Sequence, residues 1–426
     1  MSKQILNKQI AELALFGGPA ALTRKPPDWP YFDESDRQAL LAVLESRVWG
    51  GYHEAVAELE RRFAAYHGAK HGIAVANGTV SLEIALTVAG VLPRDEVIVP
   101  PITFVASASA IARIGAVPVF VDVDPDTINL NPALVEAAIT ERTRAIVLVH
   151  FGGCPADLDS FTKLCREHNL VLIEDCAHAH GAEWKGRRVG SFGHFGSFSF
   201  QGSKNMTAGE GGILITNDEA LAENARSIAN QGRRTGGAWY EHVNLGTNAR
   251  LTGFQAALLL NQLERLPQQV TTRMDQAADL RAGLAVAGAL QPTPAKLDKR
   301  ITAHAFHLFS MQYFADALGG VSRDRFVEAL QAEGLPAMAG YPYPIYQNEL
   351  FKQRPHTVHQ CPEAEAYCSS SVWLPQNALL ADREWIDTAL AAINKVCANA
   401  DELLAHSTSN STTRSAELSL PVSGHE

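Results

Sequence analysis

The sequence of 426 residues has few cysteines, no long hydrophobic run and no basic cluster. Its six cysteines, at positions 154, 165, 176, 361, 368 and 397, show no C-x-x-C pair or metal-like spacing. We therefore expect reduced, mostly buried thiols. No segment approaches the roughly 20 apolar residues of a membrane span, and the N-terminus lacks the apolar core of a signal peptide. A net charge of −10 argues against nucleic acid or an anionic membrane as a partner. These absences predict a cytoplasmic protein.

Short runs of Val, Ile and Leu alternate with helical patterns through the first two thirds of the chain. Such runs are typical of strands that are covered on both faces. Alternation of strands and helices predicts an α/β fold with a mostly parallel, doubly wound sheet. The predicted strands are Gly72–Ala76, Glu96–Val99, Val117–Val123, Ala145–Val149, Leu170–Ile173, Gly196–Phe200 and Gly212–Thr216.

The pattern changes near Pro267, which separates two predicted helices, Thr252–Leu263 and Val270–Ala287. A strand over His307–Phe314 and helices over Arg323–Glu333 and Arg383–Leu404 follow, as expected for a smaller α+β domain. The predicted organisation is an N-terminal arm (1–32), a large α/β domain (33–266), a small C-terminal α+β domain (267–405) and a Ser/Thr-rich tail (406–426) expected to be disordered.

The stretch GSFSFQGSKNMTAGEGG (196–212) places Lys204 after an apolar strand and before a glycine-rich turn. Keeping a lysine beside a buried strand is costly unless its desolvation serves a purpose. Desolvation lowers the ammonium pKa and makes the amine a nucleophile toward carbonyls. For an isolated lysine in this setting, a surface loop residue is the better explanation.

Three other features follow strands whose carboxyl ends meet at the same sheet edge, where doubly wound folds bind ligands. Gly78 and Thr79 begin a helix and suit a phosphate, although, taken alone, they are better explained as a plain N-cap. Asp175 suits a protonated ring nitrogen or, less well, a metal, since only His178 and His180 accompany it. Phe104 is either an ordinary core residue or an aromatic side chain that stacks on a planar ring.

A nucleophilic lysine, a carboxylate, a phosphate cradle and an aromatic plate together make up a pyridoxal phosphate site, with no metal. In order and spacing, six stretches resemble the DegT/DnrJ/EryC1/StrS aminotransferases, which are fold-type-I pyridoxal-phosphate-dependent enzymes. The six stretches are AVANGTVSLEIAL (74–86), VPPITFVASASAI (99–111), GAVPVFVDVDPDT (115–127), LVLIEDCAHAHGA (170–182), FSFQGSKNMTAGEGG (198–212) and LGTNARLTGFQAALLLNQL (245–263). The resemblance extends from about Leu13 to the final helix.

The resemblance implies a role for each matching residue. Lys204 and Asp175 become the catalytic pair, with Lys204 forming the Schiff base and Asp175 pairing with the pyridinium nitrogen. The resemblance further implies that Phe104 stacks on the cofactor ring and that Gly78, Thr79 and Ser199 hold its phosphate. His178, a position where the family commonly has Gln, is implied to lie near the phenolic oxygen. Asn248 is implied to reach the phosphate from the neighbouring subunit. A homodimer with shared active sites is therefore expected.

The implied activity is transfer of an amino group from L-glutamine or L-glutamate to a keto-cyclitol or keto-sugar, in secondary-metabolite or glycan biosynthesis. A nucleotide-linked keto-sugar aminotransferase or a 3-amino-5-hydroxybenzoate synthase are the alternatives. A dehydratase is expected to carry His in place of Lys204, and a regulatory homologue to have lost Lys204 or Asp175. His304, His307, Tyr341 and Tyr343 are candidate acceptor contacts, although Tyr341 and Tyr343 fit a rigid turn as well.

Overall fold

Residues 12–284 and 288–406 are described by the computed structural model of the chain. The predicted arm is therefore seen only from residue 12, and 407–426 of the predicted tail lies outside the described residues. In the described ranges, no helix combines the length and the apolar character needed to cross a membrane. All six cysteines are free thiols, five of them buried.

The secondary structure agrees with the alternating sequence pattern within a few residues at most boundaries. The strands are β1 (His71–Val75), β2 (Glu96–Val99), β3 (Val117–Phe120), β4 (Thr143–Val149), β5 (Val171–Asp175), β6 (Glu183–Trp184), β7 (Arg187–Arg188), β8 (Phe195–Ser199), β9 (Gly212–Thr216), β10 (Leu290–Pro292), β11 (Ile301–Ala303), β12 (Leu308–Tyr313), β13 (Met338–Ala339), β14 (Thr357–Val358) and β15 (Ser371–Pro375). The α-helices are α1 (Glu34–Ser46), α2 (Glu54–Tyr66), α3 (Gly78–Val88), α4 (Ala106–Arg113), α5 (Pro132–Ala138), α6 (Leu158–Glu167), α7 (Glu219–Ala229), α8 (Gly253–Leu284), α9 (Arg323–Ala332), α10 (Glu349–Lys352), α11 (Pro362–Ser370), α12 (Arg383–Ala398) and α13 (Ala400–Ala405).

The central sheet has eight strands in the order β1-β9-β8-β5-β4-β2-β3-β14. The neighbours from β8 to β14 pair in parallel, and β9 is antiparallel to both β8 and β1. Helices α2, α6 and α8 contribute to the apolar core on one face, and α3, α4 and α7 contribute to the core on the other. The expected mostly parallel, doubly wound α/β sheet is confirmed.

A second core lies under the antiparallel sheet β10-β12-β15-β13. It packs against α9, α12 and the C-terminal part of α8, where Leu280 and Leu284 are fully buried. This is the smaller α+β unit that the later part of the sequence predicts. The exact limits of the predicted domains stay predictions.

One element differs clearly from the expectation. The two helices predicted on either side of Pro267 are a single helix, α8, which passes through that proline. An internal proline costs roughly 3 kcal/mol because it removes a hydrogen bond and crowds the preceding turn. Leu263, Leu266 and Val270 flank it and are buried, and each contributes about 1.5–3 kcal/mol. Tertiary packing therefore outweighs the local helix-breaking signal.

Candidate active site

Lys204 lies in the turn that follows β8, and its backbone N–H donates to the Gln201 carbonyl over 2.9 Å. The side chain is half-buried, and the next three residues of the chain are buried. Burial lowers the pKa of the Lys204 ammonium to about 8, although the negative charge of Asp175 partly opposes the change. A lysine with this pKa presents a substantial fraction of neutral amine near neutral pH, which is the form that attacks carbonyls.

Asp175 is the last residue of β5 and is only 5% exposed. Its Oδ2 accepts a hydrogen bond of 2.7 Å from Ser107 Oγ, and its Oδ1 accepts from the Ala177 N–H over 3.1 Å. Burial raises the pKa of Asp175, while these hydrogen bonds and the charge of Lys204 partly offset the rise. The carboxylate is therefore held rigidly in a place where a further positive charge, such as a protonated ring nitrogen, would stabilise it.

The N-terminus of α3 meets the end of β8 at the same sheet edge. Asn77 caps the helix by accepting from the Val80 N–H over 2.9 Å, which leaves Gly78 and Thr79 with first-turn N–H groups that no helix satisfies internally. A Cβ atom on Gly78 would lie 2.8 Å from the Ser199 Cβ, so only glycine permits this approach. The cradle brings Gly78, Thr79 and Ser199 together as predicted, and its backbone suits a phosphate.

Phe104 lies between β2 and α4 and is 57% exposed. This exposure excludes the alternative that Phe104 is an ordinary core residue. An open aromatic face next to the carboxyl end of β2 remains available to a planar ring.

His178 is buried, and its Nδ1 has no hydrogen-bond partner in the described part of the chain. Its ring lies 4.2 Å from the ring of His307, whose Nδ1 is 3.1 Å from the Asn205 Oδ1. Asn205 in turn donates to the Ala305 carbonyl over 2.7 Å. Burial holds the pKa of both imidazoles well below the usual range, so both are neutral. A buried ring nitrogen without a partner is expected to meet a group that is bound there.

The remaining candidates occupy different places. His180 is in the core against the rings of Phe198 and Phe200, and His304 is buried and stacks on Phe306 at 3.7 Å. Tyr341 packs edge-on against Trp373, and Tyr343 is exposed. Asn248 has an exposed side chain, so it is free to contact another molecule.

His150, Glu174 and Cys176 form a buried group with metal-like spacing that the sequence reasoning did not single out. Glu174 accepts hydrogen bonds of 2.7–2.8 Å from the N–H groups of Gly190, Phe192 and Gly193. The His150 Nε2 also lies 3.2 Å from the carboxylate, and its Nδ1 accepts from the Ala156 N–H. These bonds already engage both oxygens and both ring nitrogens, so the group acts as a structural support for the end of β5.

The family model of the "DegT/DnrJ/EryC1/StrS aminotransferase family" matches residues 30–393. The chain belongs to this family of aminotransferases. It is similar to the "L-glutamine:2-deoxy-scyllo-inosose aminotransferase" of Micromonospora echinospora, with 39% identity over 92% of this chain and 99% of that protein. The "3-amino-5-hydroxybenzoate synthase" of Amycolatopsis mediterranei is 38% identical over 83% of this chain and 93% of the synthase.

The fold of this aminotransferase also resembles a crystal structure of 3-amino-5-hydroxybenzoic acid synthase. The two agree with a TM-score of 0.83 and 36% identity over 88% of this chain and 99% of the synthase chain. The chain thus has a fold shared with aminotransferase-family enzymes, and the chain is an enzyme. Ser107, Asn205 and the contact of His307 with His178 are site features that the sequence reasoning missed. Asn205 follows Lys204 directly, which is the only signal that could have drawn attention to it.

Proposed function

We propose that this aminotransferase uses pyridoxal phosphate to move an amino group from L-glutamine or L-glutamate to the ketone of a cyclitol or sugar. The observation that carries the proposal is Lys204, whose amine has a pKa of about 8 at the sheet edge where Asp175 ends β5. When bound, the cofactor supplies an aldehyde for the lysine amine and a ring that withdraws electrons from the substrate's α-carbon. The proposal includes a cytoplasmic location for the enzyme and its assembly as a homodimer.

The residues present fit this cofactor. The orphaned His178 Nδ1 suits its phenolic oxygen, and the cradle of Gly78, Thr79 and Ser199 suits its phosphate. Asp175 would hold a proton on the ring nitrogen, because a buried carboxylate strongly favours a positive partner. Phe104 offers a stacking face, and the exposed Asn248 would reach the phosphate from a neighbouring subunit.

Lys204 would serve first as the point of attachment and then as an acid and base. The free Nζ would accept a proton from the α-carbon of the donor and would later give a proton up again. A pKa of about 8 suits both directions of transfer near neutral pH, because general acid–base groups work best when their pKa is close to the operating pH. When the keto acceptor is aminated, the same Nζ would donate and accept protons in the reverse order.

The choice of substrates is supported by the relatives. The Micromonospora relative is named for L-glutamine as donor and for a keto-cyclitol as acceptor. The similarity to 3-amino-5-hydroxybenzoate synthase in sequence and structure supports that activity as a second candidate. Incubation with 2-deoxy-scyllo-inosose and each donor, followed by mass spectrometry of the products, distinguishes amine formation from an aromatic product.

The first test is the visible absorbance of the protein loaded with pyridoxal phosphate. We expect a band from the lysine-bound cofactor that L-glutamine or L-glutamate discharges. Lys204→Ala should lack this band and all turnover, whereas Asp175→Asn should bind the cofactor and react at least 100-fold more slowly, which is about 3 kcal/mol in the barrier. A band that no amino donor discharges would contradict the proposed transamination, and full activity of Lys204→Ala would contradict the role of the lysine.

A further inference from the structure

Arg273 lies within the long helix α8, and its side chain is fully buried. Its Nε and Nη2 both donate to a single atom, Gln376 Oε1, over 3.1 Å and 2.5 Å. The buried Nη1 has no hydrogen-bond partner among the described residues. Burial lowers the pKa of the Arg273 guanidinium to about 9, so the group is still positively charged at neutral pH.

This charge has no counter-ion within residues 12–284 and 288–406. Burial is the single cause of the lowered pKa, and no carboxylate there forms an ion pair with Arg273. Its partner Gln376 is neutral and is itself buried. An uncompensated charge in the interior is strongly unfavourable, because it loses its hydration without gaining an opposite charge. Since the guanidinium is enclosed by its own chain, a compensating anion has to be small enough to be enclosed with it.

A second buried donor without a partner lies against the same guanidinium. The ring of Trp29, from the segment that precedes α1, is centred 5.7 Å from the guanidinium carbon of Arg273. The ring attracts the cation but carries no net charge. The Trp29 Nε1 is buried and has no hydrogen-bond partner in the part of the chain that the structure describes. Asn377 Nδ2 donates to the Pro27 carbonyl over 2.9 Å and so holds this segment beside Gln376.

We propose that Arg273 Nη1 and Trp29 Nε1 bind a small inorganic anion of the halide class, such as chloride. Buried polar groups without a protein partner are commonly explained by a bound water or ion. A water would accept hydrogen bonds but leave the charge uncompensated, whereas a halide accepts from both donors and offsets the charge. A spherical ion also needs no donor group of its own, and a guanidinium gives up its hydration more readily than an ammonium.

The anion site lies behind the candidate active site and not in it. Pro375 pairs with Leu308 in the ladder of β12 and β15. Gln376 follows Pro375 and His307 precedes Leu308, so Gln376 and His307 leave the ladder at the same end. The charge of Arg273 is one of the causes that hold the pKa of His307 low. A halide at Arg273 therefore neutralises a charge behind the imidazole pair and fixes the Trp29 segment to α8. The inference goes beyond the proposed function and does not depend on it.

The test uses the purified full-length protein, dialysed into sodium gluconate to remove halide. Chloride then replaces gluconate at constant ionic strength while the unfolding temperature is measured. Trp29→Phe keeps the ring and removes the N–H, and Arg273→Gln removes the charge. Trp184→Phe is the matched control: its Nε1 is also buried and without a partner in the described ranges, and Arg300 lies 4.6 Å from its ring, but Arg300 pairs with Asp298.

We expect chloride to raise the unfolding temperature of wild type and of Trp184→Phe equally and to saturate. Trp29→Phe should need about 10- to 100-fold more chloride for the same rise, since it loses one hydrogen bond to a charged group. Arg273→Gln should not respond to chloride at all.

A crystal of the wild-type protein grown in bromide should show an anomalous peak within hydrogen-bond distance of Arg273 Nη1 and Trp29 Nε1. Equal unfolding temperatures of wild type in chloride and gluconate would overturn the inference, as would the same chloride response in all four proteins. If Arg273→Gln does not fold, Trp29→Phe and the bromide peak decide: an unchanged chloride response of Trp29→Phe, or no peak at Arg273, refutes the site.

Discussion

Replacing Lys204 by methionine is predicted to stabilise the cofactor-free protein at neutral pH. The fall of the Lys204 pKa from 10.5 to about 8 means that the folded state binds this proton less tightly than the unfolded state does. At one pKa unit per about 1.4 kcal/mol, holding the charged ammonium costs folding about 3 kcal/mol below about pH 8. The cost shrinks as the pH rises and vanishes above about pH 10.5.

Part of this gain is lost in the variant, because Asp175 no longer has the positive charge of Lys204 nearby. We therefore expect Lys204→Met to be about 1–3 kcal/mol more stable than wild type at about pH 7, with the difference falling toward zero between about pH 8 and pH 10.5. Urea unfolding of the two cofactor-free proteins across this range measures the difference in the free energy of unfolding.

Lys163→Met provides the control, since Lys163 is exposed and forms a surface pair with Glu167. Its removal should change the free energy of unfolding by less than about 1 kcal/mol and without the same trend in pH. If Lys204→Met is no more stable than wild type at neutral pH, or if its advantage is the same at about pH 7 and pH 10.5, then burial does not depress the pKa of Lys204. The acid–base role assigned to this lysine would lose its physical basis.

Three further predictions follow from close contacts in the site. Gly78→Ala should weaken cofactor binding and destabilise the protein by about 1–3 kcal/mol, because the added Cβ would lie 2.8 Å from the Ser199 Cβ. Gly50→Ala is the control, since its added Cβ meets open space and should leave both properties unchanged. Cofactor titration measures the effect on binding, and urea unfolding measures the effect on stability. Glu174→Gln should lower the free energy of unfolding by about 3 kcal/mol, since one oxygen cannot replace the bonds to Gly190, Phe192 and Gly193; a cost below that of the exposed Glu167→Gln would contradict this. Asn205→Ala should cost about 1–3 kcal/mol in urea unfolding and shift the pH dependence of the cofactor's visible band, and an unchanged pH dependence would argue against a positioning role toward His178.

Much of the fold was predictable because hydrophobic periodicity acts locally. Every predicted strand of the central sheet is present, and β2 and β9 have the predicted bounds. The continuous helix α8 was not predictable, since the burial of Leu263, Leu266 and Val270 depends on the sheet that they pack against. The short edge strand β14 has only two residues and pairs with β3, far away in sequence, so no local pattern indicates it.

The site residues fall into the same two groups, those that a local sequence pattern indicates and those that only long-range contacts bring together. Lys204 and Asp175 could be singled out from the sequence because each lies shortly after or at the end of an apolar run. Ser107 bonds to Asp175 across 68 positions, and Asn205 bonds to Ala305 across 100, so only the fold reveals them.

The protonation states of the site depend on these long-range contacts. Burial, the charge of Lys204 and the nearby His180 all disfavour the charged form of His178 and hold its pKa well below the usual range. Because neither imidazole takes up the proton, Lys204 and Asp175 are left as the pair that exchanges charge with a bound ligand. A neutral His178 can donate a hydrogen bond to an oxygen without adding a positive charge that would compete with Asp175 for the ring proton. Replacing His307 by a smaller side chain should therefore admit water, raise the pKa of His178 and narrow the pH range of activity on its acid side.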